Sequence, residues 1–138
     1  MKRLHQLNTE QRAIVVDTLR TELAQEDDIV FAYLYGSFLD GVGFHDVDVG
    51  AYRAPGISDS HSARAAGLSE RLSARVDIPV DVRIVNEVPI SFLYHVLRGM
   101  LLFSRDDVRL AEVIEDTTRR YLDIAPLLRH STKEAFAS

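Results

Sequence analysis

A chain of 138 residues is long enough to bury a core without disulfide staples and predicts a single domain over residues 1–138. The absence of cysteine excludes disulfides, thiolate chemistry and zinc sites built on sulfur, while a formal charge of −5 without a basic run argues against nucleic acid as a partner. The opening MKRLHQLNTEQR lacks the apolar stretch of a signal peptide, and no run of about eighteen apolar residues suggests a membrane span, so a cytoplasmic protein is expected.

In chain order, Thr9 is suited to cap a helix to about Gln25, with Ile14, Val15, Leu19 and Leu23 near helical spacing. Ile29 to Tyr35 is β-branched and aromatic and stops at Gly36, which predicts a strand. A second strand is expected over Asp46 to Tyr52, where Val47, Val49 and Ala51 alternate with Asp46, Asp48 and Gly50. Ser58 to Val76 follows the Pro55-Gly56 turn and carries Ala65, Leu68 and Leu72 on one helical face. Ile78 to Val85 alternates again, with Asp81 opposite Val80, Val82 and Ile84. Pro89 opens a short helix striped by Ile90, Leu93, Tyr94 and Leu97 and closed by Gly99, before an edge strand at residues 100–103. A final amphipathic helix is predicted from about Asp106 to Asp123, interrupted near Pro126, within a C-terminal helical segment of about 106–130. This order predicts an α/β (α+β) fold: a small mixed sheet with helices on one face and the other face free for chemistry.

Aspartates at 46 and 48, two apart on a strand, project from the same face about 7 Å apart at the backbone. If the third strand lies beside the second, Asp81 joins them, and oxygen ligands of this kind suit Mg²⁺ held together with substrate phosphates. Net negative charge does not exclude a nucleotide, because a bound cation can supply local positive charge. Gly36-Ser37, directly after a strand, lets backbone come close to a ligand and offers N–H groups and a hydroxyl to phosphate oxygens. Each feature has an ordinary alternative, a solvated strand face or a strand-ending turn. Scattered histidines at 5, 45, 61, 95 and 130 offer no metal-ligand spacing, and Ser37 has no nucleophile-elbow setting.

The ordered set of an apolar strand, Gly36-Ser37, Asp46-x-Asp48 and Asp81 within VDVRIV resembles the nucleotidyltransferase superfamily, in particular its minimal (MNT) members. The likeness extends through PISFLYHVLRGMLLFSRDD and so covers about residues 29–107. It implies a polymerase beta-like fold and Mg²⁺-dependent transfer of AMP from ATP to a hydroxyl, with Gly36 and Ser37 holding the triphosphate, Asp46, Asp48 and Asp81 the metals, and Asp81 also activating the hydroxyl. Two departures from the family pattern are a short spacer, FLDGVGFH, and the acidic Asp40 where many relatives carry a basic residue. Minimal members are commonly antitoxins that adenylylate a tyrosine of a helical HEPN-domain RNase, which makes such a toxin the expected partner. Small-molecule adenylylation and a non-catalytic, stoichiometric antitoxin are the alternatives.

Overall fold

The computed structural model describes residues 3–41 and 43–137, with side chains through residue 127. Helix α1 (Thr9–Ala24) is capped by Asn8, one residue before the expected cap: the Asn8 side chain accepts from the Gln11 backbone while the Gln11 side chain accepts from the Asn8 backbone. This reciprocal pair satisfies two N–H groups at once, which a Thr9 cap with Arg12 three residues on could not do. Strand β2 (Ile29–Tyr35) follows, then a one-turn helix α2 (Ser37–Asp40) in place of a bare Gly-Ser turn. Strand β4 (Val47–Arg53), helix α3 (His61–Val76), strand β5 (Val80–Ile84), helix α4 (Ile90–Leu97) and strand β6 (Met100–Ser104) lie where the periodicity places them, give or take a few residues at the ends. Helix α5 (Asp107–Ala137) continues through Pro126. A proline inside a helix removes one backbone bond without having to end the helix. Two short strands, β1 (His5–Gln6) and β3 (Gly43–Phe44), pair as a separate ribbon.

The main sheet has the order β5-β4-β2-β6. β2 pairs antiparallel with both β4 and β6, whereas β4 and β5, joined through α3, run parallel. That crossover is the reason they are parallel: a strand–helix–strand connection returns the chain in the same direction.

Alternation then sorts the strands' side chains between two cores. Leu34, Val47, Val49 and Val82 meet α1 and α3 through Leu19, Leu23, Leu68 and Leu72. Phe31, Tyr33 and Tyr35 point the other way and meet Leu93 and Val96 of α4 and Leu110 and Val113 of α5. The helix cover therefore exceeds the single face expected, because α4 and α5 bury most of the second. Each fully buried side chain of this size stabilises the fold by about 1.5–3 kcal/mol.

One ionic group is buried with these apolar ones. Arg53, 2% exposed, donates from Nε to Asp28 at 2.9 Å and from Nη2 to Asp59 at 2.7 Å, and Arg64 grips Asp28 from the other side at 2.7 and 3.0 Å. Asn86 closes the cluster by bonding both the N–H and the C=O of Arg53. The clasp ties the start of β2, the end of β4 and the start of α3 together.

Candidate active site

The carboxyl end of β2 is where the candidate residues meet. Tyr35 is the register partner of Asp48 on β4, and Asp48 is in turn the partner of Asp81 on β5. Register partners on neighbouring strands lie about 5 Å apart with side chains on the same face, so the sheet brings Tyr35, Asp48 and Asp81 into one row. Asp46 sits just ahead of β4, half-buried. Among the described residues, no three acidic or imidazole groups are gathered closely enough to hold a metal by themselves. Mg²⁺ does not require three: it is usually bound by one or two carboxylates plus substrate phosphates, a demand that the Asp48–Asp81 pair fits.

Gly36 shapes the other half. Its φ of 84° and ψ of −158° lie in a region that is essentially closed to residues with a Cβ. A Cβ there would also stand 2.5 Å from Asp48 Oδ2, so the turn approaches the Asp48 carboxylate as closely as backbone can. Ser37 begins α2 directly after it, where the first N–H groups of a helical turn lack partners within the turn. The Leu39 N–H donates to Gly36 O at 3.1 Å and the Gly41 N–H to Ser37 O at 2.9 Å, which holds the turn in shape. The Arg12 side chain donates to the carbonyls of Phe38 and Gly41, the latter at 2.9 Å, and lies over the Phe38 ring.

Sequence reasoning missed Tyr35. Its ring is buried and its hydroxyl is pushed up to about 12, first by burial and then by the Asp48 carboxylate, with Arg83 opposing and Asp81 adding to the rise. The tyrosine hydroxyl therefore feels both carboxylates, stays protonated and can donate to an oxygen bound between them. Arg83, two residues beyond Asp81 and on the same face, has Nε 3.9 Å from Asp81 Oδ2 and its guanidinium over the Phe92 ring. Both residues were open to detection, since the alternation that puts Asp81 on the polar face of VDVRI puts Arg83 there too, and Tyr35 ends a strand whose neighbour carries Asp48. A cavity of about 280 Å³ opens beside the turn, lined by Tyr35, Gly36, Leu39, Asp40, His95, Arg98 and Gly99. Asp40, the acidic departure from the family pattern, is the last residue of α2 and lines this cavity.

A carboxylate pair next to a glycine turn at the end of a sheet strand is an arrangement for handling phosphates, and residues 17–108 match the family model for the polymerase beta nucleotidyltransferase domain. The chain belongs to that family. No curated protein matches it in sequence. Solved structures do. A chain from the complex of a tri-AMPylated Shewanella oneidensis HEPN toxin with its MNT antitoxin superposes with a TM-score of 0.70 at 14% identity, over 91% of this chain and 98% of that one. A chain of the MntA–HepT toxin–antitoxin complex gives 0.64 at 14% identity over 94% and 99%, and one from a toxin–antitoxin structure with AMP-PNP gives 0.66 at 17% identity over the same shares. At these identities the likeness establishes the fold.

Proposed function

We infer that the chain is a nucleotidyltransferase that moves AMP from ATP to a tyrosine of a helical HEPN-domain toxin, acting as the antitoxin of the pair in the cytoplasm. The observation that carries the reading is the register of Asp48 with Asp81 beside Gly36, in a chain of this family whose structural neighbours include MNT antitoxins solved with HEPN toxins and a structure with AMP-PNP.

In this reading Gly36 and Ser37 seat the triphosphate, and Asp48 and Asp81, with Asp46 ahead of them, would hold Mg²⁺. When bound, the metal would stabilise charge on the attacking and leaving oxygens. The tyrosine oxygen attacks the α-phosphorus, the bond from that phosphorus to the bridging oxygen of pyrophosphate breaks, and pyrophosphate leaves. The phenolic proton passes to Asp81, which is half-exposed and so can return it to water. Tyr35, protonated and buried at the same spot, keeps one wall of the site apolar and offers a single donor.

The product explains the biology. A phosphodiester on the toxin's tyrosine adds a bulky anion, and an anion next to an RNA-binding surface repels the RNA backbone. The experiment is to incubate the chain with a helical HEPN-domain protein as candidate partner, ATP and Mg²⁺, and to weigh that protein intact. One or more AMP units are expected with the wild type, and none with Asp48→Asn or Asp81→Asn, both of which should keep the wild-type stability within about 1 kcal/mol because the two side chains are partly exposed. An unmodified partner, or equal modification by both variants, refutes the catalytic reading.

A further inference from the structure

We propose that Arg98, at the carboxyl end of α4, is the cation that receives the phosphate tail of the nucleotide and offsets Asp40; the proposal rests on the nucleotide-transfer reading above. Strand pairing is what puts it there. β6 runs antiparallel to β2 with Met100 opposite Leu34, so the residues just before Met100 lie alongside Tyr35 and Gly36. Arg98 and Gly99 accordingly line the same cavity of about 280 Å³ as Tyr35, Gly36 and Asp40.

That cavity lies across the Gly36 turn from the carboxylate pair. Gly36 borders it on one side and packs close to Asp48 on the other, and Tyr35, which lines it, is the register partner of Asp48. An anion that begins at Asp48 and crosses the Gly36 turn enters the cavity next. There it meets Asp40, whose negative charge would repel it unless a cation stands close by.

Arg98 is the cation suited to that place. Its guanidinium lies over the Tyr94 ring at 5.7 Å, and Tyr94 stacks on Tyr121 with ring centres 3.8 Å apart, so the side chain is steadied through its face. Face contact leaves the N–H fork unspent, and among the described residues no carboxylate stands within ion-pair distance of Arg98. A planar fork with free donors is the geometry that matches phosphate oxygens two at a time. The other nearby arginines are committed elsewhere: Arg12 to the carbonyls of Phe38 and Gly41, Arg83 to the neighbourhood of Asp81 and the Phe92 ring. His95, edge-on to Tyr35 at 5.7 Å, adds a second donor on the Arg98 side of the cavity.

The test is calorimetric titration of the full chain, in Mg²⁺, with ATP, AMP and inorganic tripolyphosphate as separate probes. Arg98→Ala is expected to weaken ATP and tripolyphosphate about tenfold to a hundredfold and to leave AMP unchanged, since charge-assisted bonds are lost only where phosphates reach the cavity. Arg98→Lys should recover part of the loss, and Asp40→Asn should tighten ATP several-fold with AMP unmoved. Thermal unfolding of all three variants should stay at the wild-type temperature, as Arg98 and Asp40 are exposed. ATP affinity unaffected by Arg98→Ala, or ATP and AMP weakened alike, overturns the assignment of Arg98 while the transfer reading stands. Wild-type protein that binds no ATP overturns both.

Discussion

Replacing Gly36 by alanine separates what the turn does for the fold from what it does for the site. Two costs are added at once: a Cβ in a backbone region that is essentially glycine-only, at φ 84° and ψ −158°, and a contact of 2.5 Å with Asp48 Oδ2. The first is a stability cost of about 1–3 kcal/mol. The second costs little stability, because the atom met is the end of a side chain that can turn away, but turning it away moves a proposed metal ligand. Displacement of a reacting group by about 1 Å can lower a rate roughly a hundredfold. Gly56→Ala is the control: its φ of 83° is also in the range that L side chains rarely adopt, and nothing lies within 4 Å of the added Cβ. Urea unfolding should therefore show both variants destabilised by about 1–3 kcal/mol with unchanged slope. Only Gly36→Ala should lose AMP transfer, by two orders of magnitude or more. Transfer at the wild-type rate in Gly36→Ala, or an equal loss in Gly56→Ala, would refute the argument that close approach of this backbone to Asp48 is what the site needs.

Two further outcomes concern stability. Asp28 is held below the usual aspartate range, chiefly by the hydrogen bonds from Arg64 and against the opposing effect of its burial, with Arg53 adding to the depression. Its stabilisation is fully present above about pH 4 and is lost as the pH falls through the lower folded-state value. Asp28→Asn should cost about 3 kcal/mol at pH 7, since it leaves the buried Arg53 with Asp59 as its one carboxylate partner among the described residues, and the gap from wild type should narrow below pH 4. Urea midpoints at pH 7 and pH 3 check this, and an undiminished gap at pH 3 would contradict it. Ser104 Oγ is buried and has no hydrogen-bond partner among the described residues, so Ser104→Ala should be neutral or stabilising by up to about 1 kcal/mol in the same assay.

β-branched and aromatic composition made β2 legible from the residues, and period-two alternation made β4 and β5 legible, with the face on which Asp48 and Asp81 project. Their adjacency depended on β4 and β5 being neighbours, which the helix between them made the simplest arrangement but which only the folded register establishes. The cover on the second face was not legible. The stripe expected on α4 ran through Ile90, Leu93, Tyr94 and Leu97, whereas the residues it buries are Leu93 and Val96, and nothing local says which side of a sheet a short helix chooses. The Arg53 clasp was hidden for a similar reason. An arginine ending an apolar strand looks like a solvent-facing terminus until Asp28, Asp59 and Arg64, from separate segments, converge on it. β1 and β3, two residues each, are too short to show a period at all.

The sheet order explains why the candidate site is polarised. β2 has two antiparallel neighbours, and near its carboxyl end each contributes a different charge: β4 brings Asp48 opposite Tyr35, and the approach to β6 brings Arg98 alongside Gly36. β5, on the far side of β4, adds Asp81 to the acidic side only. Anionic ligands entering at Gly36 thus meet carboxylates on one side and a guanidinium on the other, and the two sides ask for different things. The acidic side is electrostatically unfavourable to a phosphate unless a cation is bound there, while the basic side attracts one directly. It follows that removing Mg²⁺ should weaken ATP more than tripolyphosphate, because the nucleotide end of ATP has to lie against Asp48 and Asp81 whereas tripolyphosphate can shift toward Arg98. Comparing the two affinities with Mg²⁺ and with EDTA checks this, and an equal loss for both ligands would mean that the charges at the two edges of β2 do not act separately.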